Sequence, residues 1–417
     1  MSMTISPRRR WLLLALVITA GVLNYVDRQI IAVLKPVISA ELGWNDNDYG
    51  TLAAWFQGSA AFAFLFTGWI VDRLGVKWAN PAGVVAWSLA AIAHGWAFTM
   101  GHFIAARAAL GATEAMGTPT GIKTIATIFP PALRSTGFGI SNAAGNVGAI
   151  VTPLLIPIVA ALWGWREAFV IAGGLGLVWA LVWLVTTRGL SFDTPPPEVA
   201  SPDDPVPQFG PIVTERRTWA IAIAKVLSDS TWWLMLFWMP DFFNRMFGLS
   251  GTALGPPLAV VYAAGAVGSL LGGMVSTRLL QAGVSVNRVR KGIMLVSALL
   301  VTPVPLALST DNYWVAVAIL ALTIGAHQGF STNLFALIAD VTPRDKVGRV
   351  TSFGAFCGNL GGMAIAKIAG LVLAAGLGYL PLFLFAAVSY LLALGWIQLL
   401  LPRIVRVDDP APVTGGH

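Results

Sequence analysis

Gly68-Trp69-Ile70-Val71-Asp72-Arg73-Leu74-Gly75-Val76-Lys77 joins two runs that contain no Asp, Glu, Lys or Arg, Tyr49–Val71 and Trp78–Ala106. Each run is longer than the roughly 20 residues a helix needs to cross a bilayer. A short charged turn between two such runs reads as a helical hairpin through a membrane. The same module recurs outward from it: Ser135–Trp165, Ala168–Thr187, Met246–Thr277, Asn312–Ala339 and Ile368–Pro402 are also free of the four charged types. The 417 residues are 56% apolar and 11% charged, against roughly 25% charged in a soluble protein. So few charges cannot cover a water-facing surface, so lipid must take its place. The polar–apolar alternation of outer-membrane barrels is absent. The expectation is an all-α membrane protein with twelve transmembrane helices in two six-helix halves. Its spans are 11–34, 50–71, 79–99, 103–128, 135–158, 166–187, 219–243, 256–277, 291–309, 313–339, 350–374 and 379–401.

Other classes fall away. The pI near 9.8 does not point to nucleic acid, because the basic residues lie between hydrophobic runs and not on one soluble face. Cys357 is the single cysteine, so no disulfide framework or thiolate metal site is expected. No nucleophile–base or metal constellation of an enzyme is present. No cofactor is expected. Arg8-Arg9-Arg10 before Trp11–Ala20 has the look of a signal peptide, but the apolar pattern runs on to Lys35 without a cleavage site.

Basic residues set the topology. With the N-terminus inside, 18 of the 26 Lys and Arg fall on the cytoplasmic side and only Lys35, Arg166 and Arg245 outside. That bias places both termini in the cytoplasm, with the chain integral to the plasma (inner) membrane. The organisation is then a tail over 1–10, a six-helix bundle over 11–187, a cytoplasmic Pro-rich linker over 188–218, a second bundle over 219–401 and a tail over 402–417. The linker holds seven prolines and five acids, too polar to bury a core. The halves are related: Gly145-Asn146-Val147-Gly148 returns as Gly358-Asn359-Leu360-Gly361, 213 residues later, with Pro130 and Pro343 at the same offset. Duplicated six-helix halves describe a secondary transporter.

Five cations remain at membrane depth, Arg28, Arg107, Lys123, Lys225 and Lys367, against the acids Asp27, Glu114 and Asp229. Each isolated charge there costs about 2.5–3.5 kcal/mol on insertion scales, so partners, water or a ligand must meet it. Surplus positive charge suits an anionic substrate. Arg107 and Glu114 are two turns apart on one helix face, and Asp27 lies at a similar depth, so Asp27, Arg28, Arg107 and Glu114 form one candidate cluster. Lys123 either snorkels or serves the site; Lys225 and Asp229, four apart, either neutralise each other or serve it. Tyr25, Trp232 and Trp233 are candidates to stack on a ligand. Asn142, Asn146, His327, Gln328, Asn333 and Asn359 are candidates to hydrogen-bond it, or interhelical glue. Asp72 is expected to face the start of the eleventh span near Arg349, with Arg73 and Arg134 completing a gating network.

The opening stretch, Gly68 to Lys77 after a second span, resembles the signature loop of the major facilitator superfamily. More closely, the chain resembles the anion:cation symporter family and its hexuronate transporters. The likeness rests on Asn24-Tyr25-Val26-Asp27-Arg28, on Asp229-Ser-Thr-Trp232-Trp233-Leu-Met-Leu-Phe237-Trp238-Met-Pro240, on Ser285-Val-Asn287-Arg288-Val-Arg290-Lys291 and on Ala326-His327-Gln328-Gly329-Phe330-Ser331-Thr-Asn333-Leu-Phe335. The resemblance implies the major facilitator fold and import of a sugar acid by proton symport with alternating access. It implies Asp27 and Glu114 as proton carriers and Arg28 as the partner of the substrate carboxylate. Where the family pattern has a Tyr and a Gln in the second helix, this chain has Ala60 and Phe64. Thr118 and Ala266 also depart from it. Another small carboxylate, aromatic or short aliphatic, is therefore the alternative substrate. The expected partners are the anionic substrate, protons and membrane lipid, with the protein acting as a monomer.

Overall fold

The protein is seen in a computed structural model that describes residues 6–190, 192, 209–343 and 346–404. Most of the expected linker, both ends of the chain and the Arg344–Asp345 pair lie outside the described residues. Among those residues the regular structure is helical throughout. In chain order the helices are α1 (Pro7–Val33), α2 (Lys35–Leu42), α3 (Asp46–Gly95), α4 (Met100–Glu114), α5 (Gly117–Ile128), α6 (Pro131–Trp163) and α7 (Trp165–Thr186). After the linker come α8 (Gly210–Val213), α9 (Arg216–Phe247), α10 (Gly255–Gln281), α11 (Val286–Val301), α12 (Tyr313–Val341), α13 (Val347–Ala374) and α14 (Leu380–Leu400).

These helices make the twelve crossings. α1 with its extension α2 is the first, and α3 carries both the second and the third in 50 residues. Gly75, at φ 68°, turns the chain between them in a conformation that other residues adopt only with strain. The turn expected from the opening stretch is therefore a single glycine kink between two helices. α4 and α5 share the fourth crossing, α6 and α7 are the fifth and sixth, and α9 to α14 supply the rest. Polar caps mark several starts: Ser6 accepts from Arg9 N–H, Asn45 and Asp48 form a reciprocal capping box, and Asn312 accepts from Trp314 N–H.

Glycines set how closely the helices cross. At Gly148, where α6 crosses α1, an added Cβ would lie 2.7 Å from the Val22 carbonyl oxygen. At Gly361, where α13 crosses α9, it would lie 2.7 Å from that of Val226. The repeat read from the sequence is thus a repeated helix crossing.

α1 and α9 both run from the face that carries the described chain ends to the opposite face. The two halves are sealed together at that opposite face. Lys35 Nζ binds Asp46 at 2.8 Å and also Asp241. Arg245 binds Asp241 at 2.7 Å and also Asp46. Tyr379 donates to Asp241 at 2.5 Å, and Tyr49 donates to the Phe237 carbonyl at 2.7 Å. Lys367 donates to Asn47 at 2.5 Å and to Thr51 at 2.7 Å. Beside them Gly50 meets α13 so closely that a Cβ would lie 2.8 Å from the Ala366 carbonyl. Among the described side chains, the hydrogen bonds and ion pairs that cross between the halves all lie at this face. A cavity of about 830 Å³ sits above the seal, lined by Lys35, Ser39, Asp46, Asp241, Asn244 and Arg245 among others.

Two sequence expectations change here. Lys35, assigned to an outer loop, is 3% exposed and forms the centre of the seal. Lys367, counted as a stranded cation, is held by neutral oxygens of the other half. The surplus charge expected at membrane depth is thereby redistributed toward one face.

Candidate functional site

One layer below the seal, α1 and α4 bring four ionisable groups together. Arg28 Nε and Nη2 both reach Glu114 Oε2 at 2.9 Å. Nη2 also donates to Asn24 Oδ1 at 3.0 Å, and the Asn24 amide approaches the Glu114 carbonyl at 3.5 Å. Arg107 lies behind, donating from Nη1 to the Arg28 carbonyl at 3.4 Å. The cluster expected from helix spacing is therefore formed, with Arg28 as the partner of Glu114. Asp27, Arg107 and Glu114 are at most 3% exposed. Arg28 is the member that reaches open space, at 14% of its side chain.

The cluster is under-bonded. Asp27 Oδ2, Glu114 Oε1 and Arg107 Nε and Nη2 have no hydrogen-bond partner, and neither polar atom of the fully buried Gln57 has one. Buried polar atoms are normally satisfied, and leaving one unmade costs about 1–3 kcal/mol. Groups left in that condition gain from any change that supplies a proton or a ligand.

Aromatic rings surround the Arg28 guanidinium: Tyr25 at 5.0 Å, Phe56 at 5.4 Å and, from the opposite half, Trp233 at 5.4 Å. Phe56 also lies 5.6 Å from Arg107 and packs on Phe237 across the interface, 6.1 Å between centroids. Tyr25 and Trp233 are legible in the sequence as candidates to stack on a ligand; Phe56, in a featureless apolar run, is not. Its closeness to α4 is fixed by Gly111, where a Cβ would overlap the Phe56 carbonyl at 2.1 Å.

The other half's candidates are more widely distributed. Trp232 stacks on His327, at 5.1 Å and 12°, and not on open space. His327 Nδ1 is bonded to the Tyr390 hydroxyl at 2.7 Å. Asn333 is fully buried; it donates to the Gly329 carbonyl at 3.0 Å and accepts from Arg290 at 3.3 Å. Arg290, assigned to the cytoplasmic loop, pairs with Asp340 at 2.7 Å. Asn359 donates to the Ala355 carbonyl in its own helix at 2.8 Å. Gln328 is half-buried on α12. Lys225 and Asp229 do pair, at 2.8 Å. Asn142, Asn146 and Arg134 lie on α6, and their side chains fall outside the described residues.

At the hairpin turn, Asp72 is bonded to Lys123 of its own half at 2.7 Å, which gives Lys123 a partner. Arg73 stacks on Trp69, 4.2 Å from the ring centroid. Arg349 stands in the first turn of α13. The seal residues Lys35, Asp46, Asp241 and Arg245 were absent from the sequence-based site. Asp241, inside an otherwise apolar run, was the one legible signal for them.

Comparison with known proteins places this architecture. The chain is 29% identical to the hexuronate transporter of Escherichia coli (strain K12), covering 97% of this chain and 98% of that protein. It is 28% identical to a D-galactonate transporter of Escherichia coli O6:H1, over 94% and 96% of the two chains. It is 24% identical to a probable sulfoacetate transporter of Cupriavidus necator, over 89% and 87%. In structure it superposes on a bacterial homolog of the human lysosomal transporter Spinster, in an inward-facing and occupied conformation. The TM-score is 0.73 at 20% identity, covering 95% of this chain and 97% of that one. The family model described as the Major Facilitator Superfamily matches residues 17–366, and with twelve crossings in two duplicated halves the chain belongs to that superfamily of transporters.

Proposed function

We propose that the protein imports a small organic anion, a hexuronate or a related sugar acid, by proton symport with alternating access. The observation that carries this reading is the buried Arg28–Glu114 pair at 2.9 Å, at the mouth of an under-bonded cluster with Asp27 and Arg107. Arg28 offers a planar fork to a carboxylate. While Glu114 is ionised it occupies that fork. A proton on Glu114 releases it to the substrate carboxylate, so one anion replaces another and the buried layer never holds a bare charge. Asp27, beside Glu114 and Arg107, is the second carrier. Return to the empty state requires both protons to leave on the inner side, because a bare charge in the closed layer is expensive. The relatives named for hexuronate, D-galactonate and sulfoacetate support an anionic substrate.

With both termini cytoplasmic, as the positive-inside rule favours, the sealed face is the outer one. On this reading the protein works as a monomeric inner-membrane carrier, here closed at its outer face. Asp72, Arg73, Arg134 and Arg349 remain the gate on the inner face: Lys123 holds Asp72 now, and closure would transfer it to the start of α13. A second reading, an aromatic or short aliphatic acid, is favoured by the ring cage of Tyr25, Phe56 and Trp233 and by apolar Ala60 and Phe64.

Uptake into proteoliposomes tests the proposal. Labelled sugar acids should accumulate under an inward proton gradient. Glu114→Gln and Asp27→Asn, which mimic the protonated acids, should retain counterflow exchange but lose gradient-driven accumulation. Accumulation that survives in both variants rules out these two carriers.

A further inference from the structure

Asp229 is an acid that the transport cycle just described leaves unused. It lies on a stripe of α9, Lys225–Asp229–Trp233–Phe237, spaced one turn apart. The stripe's far end faces the opposite half, since Trp233 lies 5.4 Å from the Arg28 guanidinium and Phe237 packs on Phe56. Asp229 therefore sits one turn, about 6 Å of axial rise, from Trp233 toward the face that carries the described chain ends. Its side chain is 16% exposed, on the stripe of α9 that Trp233 presents to the opposite half.

The fold is cut to hold the carboxylate there. Gly358 of α13 lies so close that a Cβ would stand 2.3 Å from Asp229 Oδ2, and Gly354 leaves room for the Lys225 stem. The repeated crossing supplies the depth: Val22 and Tyr25 flank Gly148 as Val226 and Ser230 flank Gly361. Asp229, next to Ser230, thus stands at the level of Tyr25, in the layer that contains Arg28.

We infer that Asp229 is the hydroxyl-reading end of the transport site, so that the substrate is a polyhydroxylated monocarboxylate with its acid group on Arg28 and its hydroxyls donating to Asp229. The inference rests on the function proposed above and fixes its substrate class. An ionised carboxylate accepts at about four lone-pair positions. Lys225 takes one at 2.8 Å, and the Ser228 hydroxyl takes another at the longer distance of 3.3 Å. The remaining acceptor positions suit a chain of hydroxyls. A second carboxylate would find Lys225 already neutralised and Asp229 repelling it. An apolar tail would strip water from Asp229 and return no hydrogen bond.

The test compares gluconate with hexanoate, equal in carbon number and different in hydroxyls, as competitors of sugar-acid uptake in proteoliposomes. Wild-type protein should prefer gluconate. Asp229→Asn should weaken gluconate by roughly 10- to 100-fold, the worth of one or two charge-assisted hydrogen bonds, and leave hexanoate unchanged. Because that variant strands Lys225, the double variant Lys225→Met/Asp229→Asn serves as its neutral counterpart and should lose the same preference. Equal weakening of both acids in the variants, or a preference retained in the double variant, overturns the inference and leaves the proposed transport standing. A wild type that takes up no sugar acid overturns both.

Discussion

The two halves share one scaffold and differ in what they do with charge. α6 on α1 and α13 on α9 cross in the same way, through Gly148 over Val22 and Gly361 over Val226. Within that common frame the first half gathers Asp27, Arg28, Arg107 and Glu114 and leaves several of their buried atoms without partners. The second half pairs its groups: Lys225 with Asp229 at 2.8 Å, Arg290 with Asp340 at 2.7 Å and His327 with Tyr390 at 2.7 Å. Duplication preserved the backbone geometry and released the side chains to diverge. On the proposed reading, the under-bonded cluster switches with proton and substrate while the paired groups of the second half form a steady wall. A buried pair is costly to break, whereas an under-bonded cluster has alternative states of similar energy.

The largest effect should come from the shared scaffold. Valine at Gly148 or at Gly361 would push a side chain into a carbonyl oxygen 2.7 Å from its Cβ. Overpacking of this kind typically costs about 1–3 kcal/mol and occasionally more. Both variants should show much reduced yield of folded protein in the membrane and a lower melting temperature in detergent. If one glycine tolerates the change, the crossings are not equivalent and the comparison fails.

Next comes the contrast in charge. Arg28→Lys keeps the cation but loses the planar fork, and should raise KM for every carboxylate substrate by about tenfold or more. Lys225→Arg, in a pair already closed by Asp229, should raise KM far less. Equal losses would mean that both halves bind the substrate through their cations.

A smaller effect should come from the seal. Asp241 accepts from Lys35, Arg245 and Tyr379, so Asp241→Asn weakens three contacts at once. The expected outcome is a shift toward the conformation open at this face. A cysteine placed at Ser39, in the cavity above the seal, should then be labelled faster from outside, with the protein still folded. Unchanged labelling would show that close helix packing, as at Gly50 against Ala366, holds the face shut without the charges.

The sequence made the scaffold legible for a physical reason. Lipid forces apolar runs of fixed length, so the crossings, the hairpin at Asp72 to Lys77 and the repeat at Gly148 and Gly361 all stand out. Contacts within a helix were equally readable, as the four-residue spacing of Lys225 and Asp229 shows. What stayed hidden was pairing across long separations. Lys35 and Asp241 are 206 residues apart, and nothing local to Lys35 separates a loop cation from a buried gate. Trp232, His327 and Asn333 carry the right chemistry for a ligand, but their rotation turns them to Tyr390, Arg290 and one another. Phe56 lacks any distinguishing neighbour in sequence, and only the approach of α4 brings it to Arg28 and Arg107.

The smallest expected effect tests whether paired charge in the second half is structural at its edge as well. Glu215, just before α9, is held below the usual glutamate range by hydrogen bonds from Arg217 and from Lys346, the latter at 2.7 Å. The Lys346 bond ties the start of α9 to the loop before α13. A carboxyl whose folded pKa lies below its unfolded value favours the folded state above the unfolded pKa and loses that contribution as pH falls through the folded one. Wild-type stability should therefore decline on acidification from about pH 4 downward, by a part that Glu215→Gln lacks. With 18% of the Glu215 side chain exposed at the edge of the protein, solvent and salt should hold that part to about 0–1 kcal/mol. The readout is the difference in melting temperature between the two proteins: small near neutral pH, shrinking as acid is added and as salt is raised. A difference that is large, or indifferent to both, would mean that Glu215 acts through packing and not through its charge. The wall-like character of the second half would then rest on its shape alone.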